Sequence, residues 1–317
     1  MKNTHASASA PGKLLLFGDH AVVYGQPCIV TAVDQRISVE VENINVPELI
    51  VAVPEYSKLI SDLGKGDVPK NVAFLEMAYK IFLEKFPQSD GVKVTTHSDF
   101  SSQFGFGSSS AVTVAFIKAL TKLYQLELNN RELFSLCYQT ILNVQKVGSG
   151  FDAAAAIWGG TIFYVKPAMI VEPILLHNLP FIVGYTGVKA DTTKLIKGVA
   201  RLRQNSPEKV DKIFENLGAT TTQAKEALLE QDWQKVGELM KQQQALLRGL
   251  QISTGKLDTL ISAAENAGAL GAKLSGAGGG DCMIAVVEEK NRASVERAIV
   301  AAGGQVLPVK MSAKGVE

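Results

Sequence analysis

The chain has 317 residues, 46% hydrophobic and 20% charged, with a formal net charge of +1. That length and composition describe one large globular domain or two of ordinary size. The near-neutral balance excludes an electrostatic nucleic-acid footprint and a polybasic membrane surface. Cys28, Cys137 and Cys282 have neither metal-ligand spacing nor a disulfide framework, and the first two sit in apolar runs as small buried hydrophobes. The sequence has no signal-peptide pattern and no run long enough to span a membrane, which makes a reducing cytoplasm the expected compartment.

In chain order, an apolar strand-like run from Lys13 to Phe17 stops at Gly18, followed by Asp19 and His20. Ile37, Val39 and Val41 alternate with Ser38, Glu40 and Glu42 as in a half-buried strand. Glu48 to Pro54 reads as another short strand, and the polar, glycine-containing stretch from Ser57 to Pro69 as a surface loop. Val72, Leu75, Met77, Ala78, Ile81 and Phe82 form an apolar helical stripe. A strand at Val92, Val94 and Thr96 then leads into Gln103-Phe104-Gly105-Phe106-Gly107-Ser108-Ser109-Ser110. The glycines permit a tight turn and close backbone approach to a ligand. The serines open an apolar helix, where free N–H groups and the dipole favour an anion. The stretch therefore reads as a phosphate cradle, although a serine-capped loop has the same composition, and it is neither a Walker motif nor a dinucleotide fingerprint.

Asn129 or Asn130 caps a helix that runs to about Val144. Asp152 follows Gly148-Ser149-Gly150-Phe151 and precedes four alanines. Its carboxylate is either a helix cap or a base held at a helix N-terminus. Thr161 to Val165, Ile170 to Leu176 and Pro180 to Gly184 read as three strands in meander order. From Lys189 the texture changes to long helical stretches, Thr192 to Arg203, Val210 to Leu228, Trp233 to Arg248 and Gly255 to Ala267. Polar runs in them, such as Lys241 to Gln244, read as solvated faces. The chain ends with a strand at Gly271 to Ser275, a glycine cluster at Gly276 to Gly280, a strand at Met283 to Val287, a helix and a last strand at Gln305 to Val309. Four glycines between two strands point to a backbone that approaches a ligand.

Three glycine-bearing stretches in this order resemble the GHMP kinase superfamily of galactokinase, homoserine kinase, mevalonate kinase and phosphomevalonate kinase, over essentially the whole chain. Gly18-Asp19-His20-Ala21-Val22-Val23-Tyr24-Gly25 resembles the mevalonate kinase signature, in which the second residue is usually Glu. Asp191-Thr192-Thr193-Lys194-Leu195, Ser253 to Asp258 and Gly268 to Ser275 resemble archaeal-type mevalonate kinases. Gly148 to Asp152 and Gly280-Asp281-Cys282 are closer to phosphomevalonate kinases, since mevalonate kinases usually carry another glycine before that cysteine. Many members place a magnesium-binding glutamate before the catalytic aspartate, whereas Leu133 to Phe151 contains no carboxylate.

The resemblance implies an α+β, two-domain GHMP kinase fold with its active site in the cleft between domains. Residues 1–178 would form an ATP-binding and catalytic domain on a mixed sheet, like domain 2 of ribosomal protein S5. Residues 179–317 would form a ferredoxin-like C-terminal domain. It also implies ATP and Mg²⁺ as cofactors and phosphorylation of the C5 hydroxyl of (R)-mevalonate, with no nucleic-acid or membrane partner and a homodimer left open. Gly105, Gly107, Ser108, Ser109 and Ser110 would hold the phosphates, with the Ser109 hydroxyl on Mg²⁺. Asp152 would take or orient the attacking hydroxyl's proton, and Lys13 would lower that hydroxyl's pKa or stabilise charge at the transferring group. His20 would bond the substrate carboxylate or C3 hydroxyl, Asp19 and Tyr24 would border that pocket, and Gly276, Ala277 and Gly278 would close over it. The alternatives are a phosphomevalonate kinase, with Lys146 as its extra cation, and a non-catalytic ligand-binding member.

Overall fold

The computed structural model describes residues 4–52, 55–69, 72–176 and 179–317. In chain order the first half contains β1 (His5–Phe17), β2 (Cys28–Ile44), β3 (Glu48–Val51), β4 (Tyr56–Leu59), α1 (Ala73–Lys85), β5 (Gly91–Ser98), α2 (Ser108–Leu123), α3 (Asn130–Gln145), α4 (Phe151–Trp158), β6 (Thr161–Val165) and β7 (Ile170–Ile174). The second contains β8 (Phe181–Tyr185), α5 (Thr192–Asn205), α6 (Pro207–Leu229), α7 (Trp233–Gly249), α8 (Gly255–Asn266), β9 (Gly271–Ser275), β10 (Cys282–Val286), α9 (Glu289–Ala301) and β11 (Gln305–Leu307).

Strand β2 organises the first sheet. It pairs with β1 along its length, with β5 from Ile37 to Ile44 and with β6 from Cys28 to Thr31. Among the described residues this sheet has seven strands in the order β4-β3-β5-β2-β6-β7, with β1 on β2, and it is mixed because β3 runs parallel to β5. Strand β1 begins well before the apolar run at Lys13, because Ala6 and Ala8 are buried in alternation with His5 and Ser7. Small residues carry a period of two as well as large ones do, with a weaker hydropathy signal. Helix α2 lies on β1 and β2 and is flanked by α1, α3 and α4.

The second sheet is antiparallel throughout, in the order β11-β8-β10-β9, and is packed by α7, α8 and α9. Its presence corrects the expected three-strand meander. Strands β6 and β7 do pair, but β8 belongs to the other sheet. Pro173 explains the stop, since a proline that cannot donate to a further ladder suits an edge strand. The expected loop from Ser57 also contains strand: Tyr56 and Lys58 on β4 both reach the buried Glu76 carboxylate of α1, the lysine at 2.9 Å. The proposed end of a strand at Pro54 and a domain boundary at residue 178 lie outside the described residues.

The chain leaves the first sheet after Ile174 and joins the second at Phe181. Residues 309–317 do not stay with the second sheet. They return to the first, where Ala313 N–H bonds Ala32 O (3.1 Å), Lys310 N–H bonds Asp34 (2.9 Å) and Glu317 pairs with Ser9. The Arg36 guanidinium fixes this segment by donating to Ser9, Lys314 and Gly315 carbonyls.

The run from Lys241 to Gln244 is the plainest departure from a solvated face. Gln243 and Gln244 are buried, and both are fully engaged. Gln243 accepts the Gly18 N–H at 3.0 Å and donates to Leu217 O, Thr220 and Thr221 of α6. Gln244 accepts the Leu274 N–H of β9 at 3.0 Å and donates to Ser253. A primary amide supplies donors and acceptors together, which a helix threaded between a strand end and another helix requires. Gln243→Leu leaves the buried Gly18 N–H without an acceptor. It is expected to lower stability by about 1–3 kcal/mol in denaturant unfolding.

Candidate active site

One wall of the cleft is built from β1, the loop before α2 and the start of α4. Lys13 follows a register shift in β1 between Pro11 and Gly12, and its backbone N–H bonds Phe106 O at 3.0 Å. The side chain is almost wholly covered; Nζ donates to Gly105 O at 2.9 Å and lies 3.2 Å from Asp152 Oδ1. It also stands 5.4 Å from the Phe151 ring centroid. Asp152 is in the first turn of α4 behind Gly150, and no side-chain bond caps that helix. Of the two roles open to Asp152, capping is therefore not the one it takes: its carboxylate goes to Lys13.

Gly105 and Gly107 both have φ of +74°, and α2 starts directly after Gly107 without a side-chain cap. A Cβ on Gly107 would stand 3.0 Å from Lys13 Cε and 3.2 Å from Asp152 Oδ1. A Cβ on Gly105 would stand 2.5 Å from Asp281 Oδ2. The glycines are thus required by the charged side chains that converge on the loop as well as by its turn. Gly105, Gly107, Ser108, Ser109 and Ser110 all face the cleft, together with Lys13 and Asp152.

The opposite wall comes from the second half. The β9–β10 loop brings Gly276 and Ala277 to the cleft beside His20. The His20 ring donates Nε2–H to Ala277 O at 2.9 Å. Burial lowers its pKa, against smaller opposing effects of the Ala277 bond and the Asp19 charge. The ring is therefore neutral, with Nε2 protonated and Nδ1 left as an acceptor.

Three expected site residues do not reach the cleft surface. Asp19 is fully buried behind it, with Oδ2 2.6 Å from Lys273 Nζ and Oδ1 accepting the Gly276 N–H at 2.6 Å. A carboxylate of this length is consumed by the loop it anchors. Tyr24 ends a 3-10 turn (Ala21–Tyr24) that points it at α6, where it stacks on Phe214 at 4.3 Å with Arg203 over its ring at 5.0 Å. Gly278 packs its backbone on Ile252, and a Cβ there would meet the Ile252 carbonyl at 2.4 Å. Lys146 is exposed and is not part of the cleft wall.

Two charged residues of the wall were given no site role in the sequence. Asp281 has φ of +51° and its Oδ1 accepts the Ala190 N–H at 2.9 Å, with Lys189 Nζ at 3.4 Å. Asp281 was visible as the residue that ends the glycine run, directly after Gly280. Lys189 carried no local signal. From α3 the cleft receives Ile141 and Gln145 and no carboxylate.

The profile described as GHMP kinases N terminal domain matches residues 73–160, and that for GHMP kinases C terminal matches residues 224–305. The chain is 37% identical to the mevalonate kinase of Pyrococcus abyssi over 98% of its own length and 96% of that protein's. It is similar to the crystal structure of Methanococcus jannaschii mevalonate kinase, with a TM-score of 0.81, 27% identity and coverage of 97% and 98% of the two chains. The L. major mevalonate kinase in complex with R-mevalonate gives a TM-score of 0.79 at 27% identity, covering 99% and 97%. With the cleft, both walls and both halves of the chain accounted for in this way, the chain belongs to the GHMP kinases, on their mevalonate kinase branch.

Proposed function

We propose that this chain transfers the γ-phosphoryl group of ATP to the C5 hydroxyl of (R)-mevalonate. The observation that carries the reading is the convergence of Lys13, Asp152 and the Gly105–Ser110 loop on one cleft with His20 and the Ala277 loop. Phosphoryl transfer asks mainly for in-line placement and neutralised charge. In this reading residues 1–178 bind ATP and carry the chemistry, and residues 179–317 contribute the loop that faces it.

The Gly105–Ser110 loop and the start of α2 receive the nucleotide phosphates, to which a helix N-terminus is suited. Asp152 accepts or orients the proton of the C5 hydroxyl. Lys13, a compact point charge already within reach of Asp152, stabilises charge at the transferring group. Neutral His20 offers Nδ1 to the C3 hydroxyl of the substrate, and with Nε2–H spent on Ala277 it has no proton to offer a carboxylate.

Among the described residues no group of three His, Cys, Asp or Glu side chains could hold a metal by itself. The oxygen donors present suit Mg²⁺ that arrives with ATP, held chiefly by phosphate oxygens, with Ser109 as the protein hydroxyl. The ion would neutralise phosphate charge when bound.

An ADP-release assay with ATP and Mg²⁺, run on (R)-mevalonate and on 5-phosphomevalonate, is expected to show turnover on mevalonate alone. Turnover on 5-phosphomevalonate alone would overturn the reading. Asp152→Asn is expected to lower kcat by roughly two to four orders of magnitude while ATP affinity, measured by nucleotide titration, is retained. His20 supplies a test of its neutral state. Because its pKa in the folded chain is below the ordinary 6.5, the unfolded chain binds more protons there, so stability falls as pH drops below that value. Thermal melts between pH 7 and pH 5 are expected to show this acid slope in the parent and a shallower one in His20→Asn.

A further inference from the structure

The substrate of the proposed reaction carries a carboxylate as well as the reacting hydroxyl, and the cleft must receive that charge. Lys13 is committed to Asp152 at 3.2 Å and to Gly105 O at 2.9 Å, on the wall where phosphate binds. His20 has spent its ring proton on Ala277. The serine hydroxyls belong to the phosphate loop. Among the described residues, the remaining cation on the cleft wall is Lys189.

Its position is set with unusual care for a side chain that is 46% exposed. The segment before α5 is clamped to the end of the glycine loop: Thr186 N–H bonds Asp281 O at 2.9 Å, and Asp281 N–H bonds Val188 O at 2.7 Å. Gly280 makes room for that contact, since a Cβ there would stand 2.5 Å from Val188 O. Asp281 Oδ1 then takes the Ala190 N–H at 2.9 Å and faces Lys189 Nζ at 3.4 Å. An ammonium has three donors. One long contact to Asp281 orients it and leaves donors for a second anion in the cleft, where Thr192 of α5 also faces.

We infer that Lys189, oriented by Asp281, receives the carboxylate of the substrate and sets the preference of this cleft for an acidic alcohol over a neutral one. The inference rests on the reading of the chain as a mevalonate kinase and adds the residue that makes the acceptor's charge matter. Asp281 is a positioning residue in this scheme, acting through Lys189 without touching the substrate.

The test compares (R)-mevalonate with 3-methylpentane-1,3,5-triol, in which a hydroxymethyl group replaces the carboxylate, in the parent and in Lys189→Met and Lys189→Arg. Removing a charge-assisted hydrogen bond is expected to raise KM for mevalonate by about 10- to 100-fold in Lys189→Met. KM for ATP and turnover of the triol are expected to stay within about twofold, so the discrimination between the two alcohols collapses, and Lys189→Arg is expected to recover most of it. A rise in KM for ATP, or an equal loss on both alcohols, would place Lys189 on the nucleotide or in the scaffold and overturn the inference, as would an unchanged KM for mevalonate. In each of those results the parent still phosphorylates mevalonate. A parent that leaves mevalonate untouched refutes the substrate reading itself and the inference with it.

Discussion

Behind the cleft, the Asp19 carboxylate is shared between the Lys273 ammonium and the Gly276 N–H, with neither charged side chain exposed. Both ions lose their hydration there, and burial pulls the Lys273 pKa down against the opposing pull of Asp19. Such a pair holds only while both members are present; a lone buried charge left by removing one costs about 3–5 kcal/mol. Asp19 follows β1, and Lys273 lies on β9. The contact therefore sets the end of one sheet against the loop of the other. Ser275 repeats the connection through both backbone groups of Leu15, at 2.9 and 3.1 Å, and Gln243 through the N–H of Gly18. The position of Ala277 beside His20 follows from these bonds.

The cleft in front of that joint has a matched construction. Each wall carries one lysine and one carboxylate, Lys13 with Asp152 and Lys189 with Asp281. Each carboxylate approaches one glycine of the phosphate loop, Asp152 at Gly107 and Asp281 at Gly105. A side chain at either position would have to displace a charged group from a covered site. Four charges that cancel in pairs leave the cleft close to neutral before ligands arrive. Incoming phosphate and carboxylate groups then find cations already oriented by their carboxylate partners, which spares reorganisation when charge moves.

Much of this was legible in the residues. The glycine stretches marked the loops of the cleft, the helical periods located α1, α2 and α3, and Lys13 and Asp152 stood out beside glycine turns. What was hidden had tertiary causes. Gln243 and Gln244 lie in a run that reads as solvent-facing, and only the arrival of Gly18 and Leu274 from distant segments buries them. Asp19 sits in the signature stretch, yet its partner is 254 residues away, so its inward direction could not be read locally. Lys189 has no pattern around it and gains meaning from Asp281 alone. Strand β8 resembles its predecessors in composition, and its sheet is chosen by the strands available to pair with it.

The return of residues 309–317 to the first sheet gives the molecule the topology of an insertion. The first strand of the second half and its last, β8 and β11, are paired neighbours, Leu307 opposite Val183. The second half is thus held to the first by the returning chain end as well as by the buried bonds of Asp19, Ser275 and Gln243. The spacing of the two cleft walls is thereby written into the folded chain before any ligand arrives.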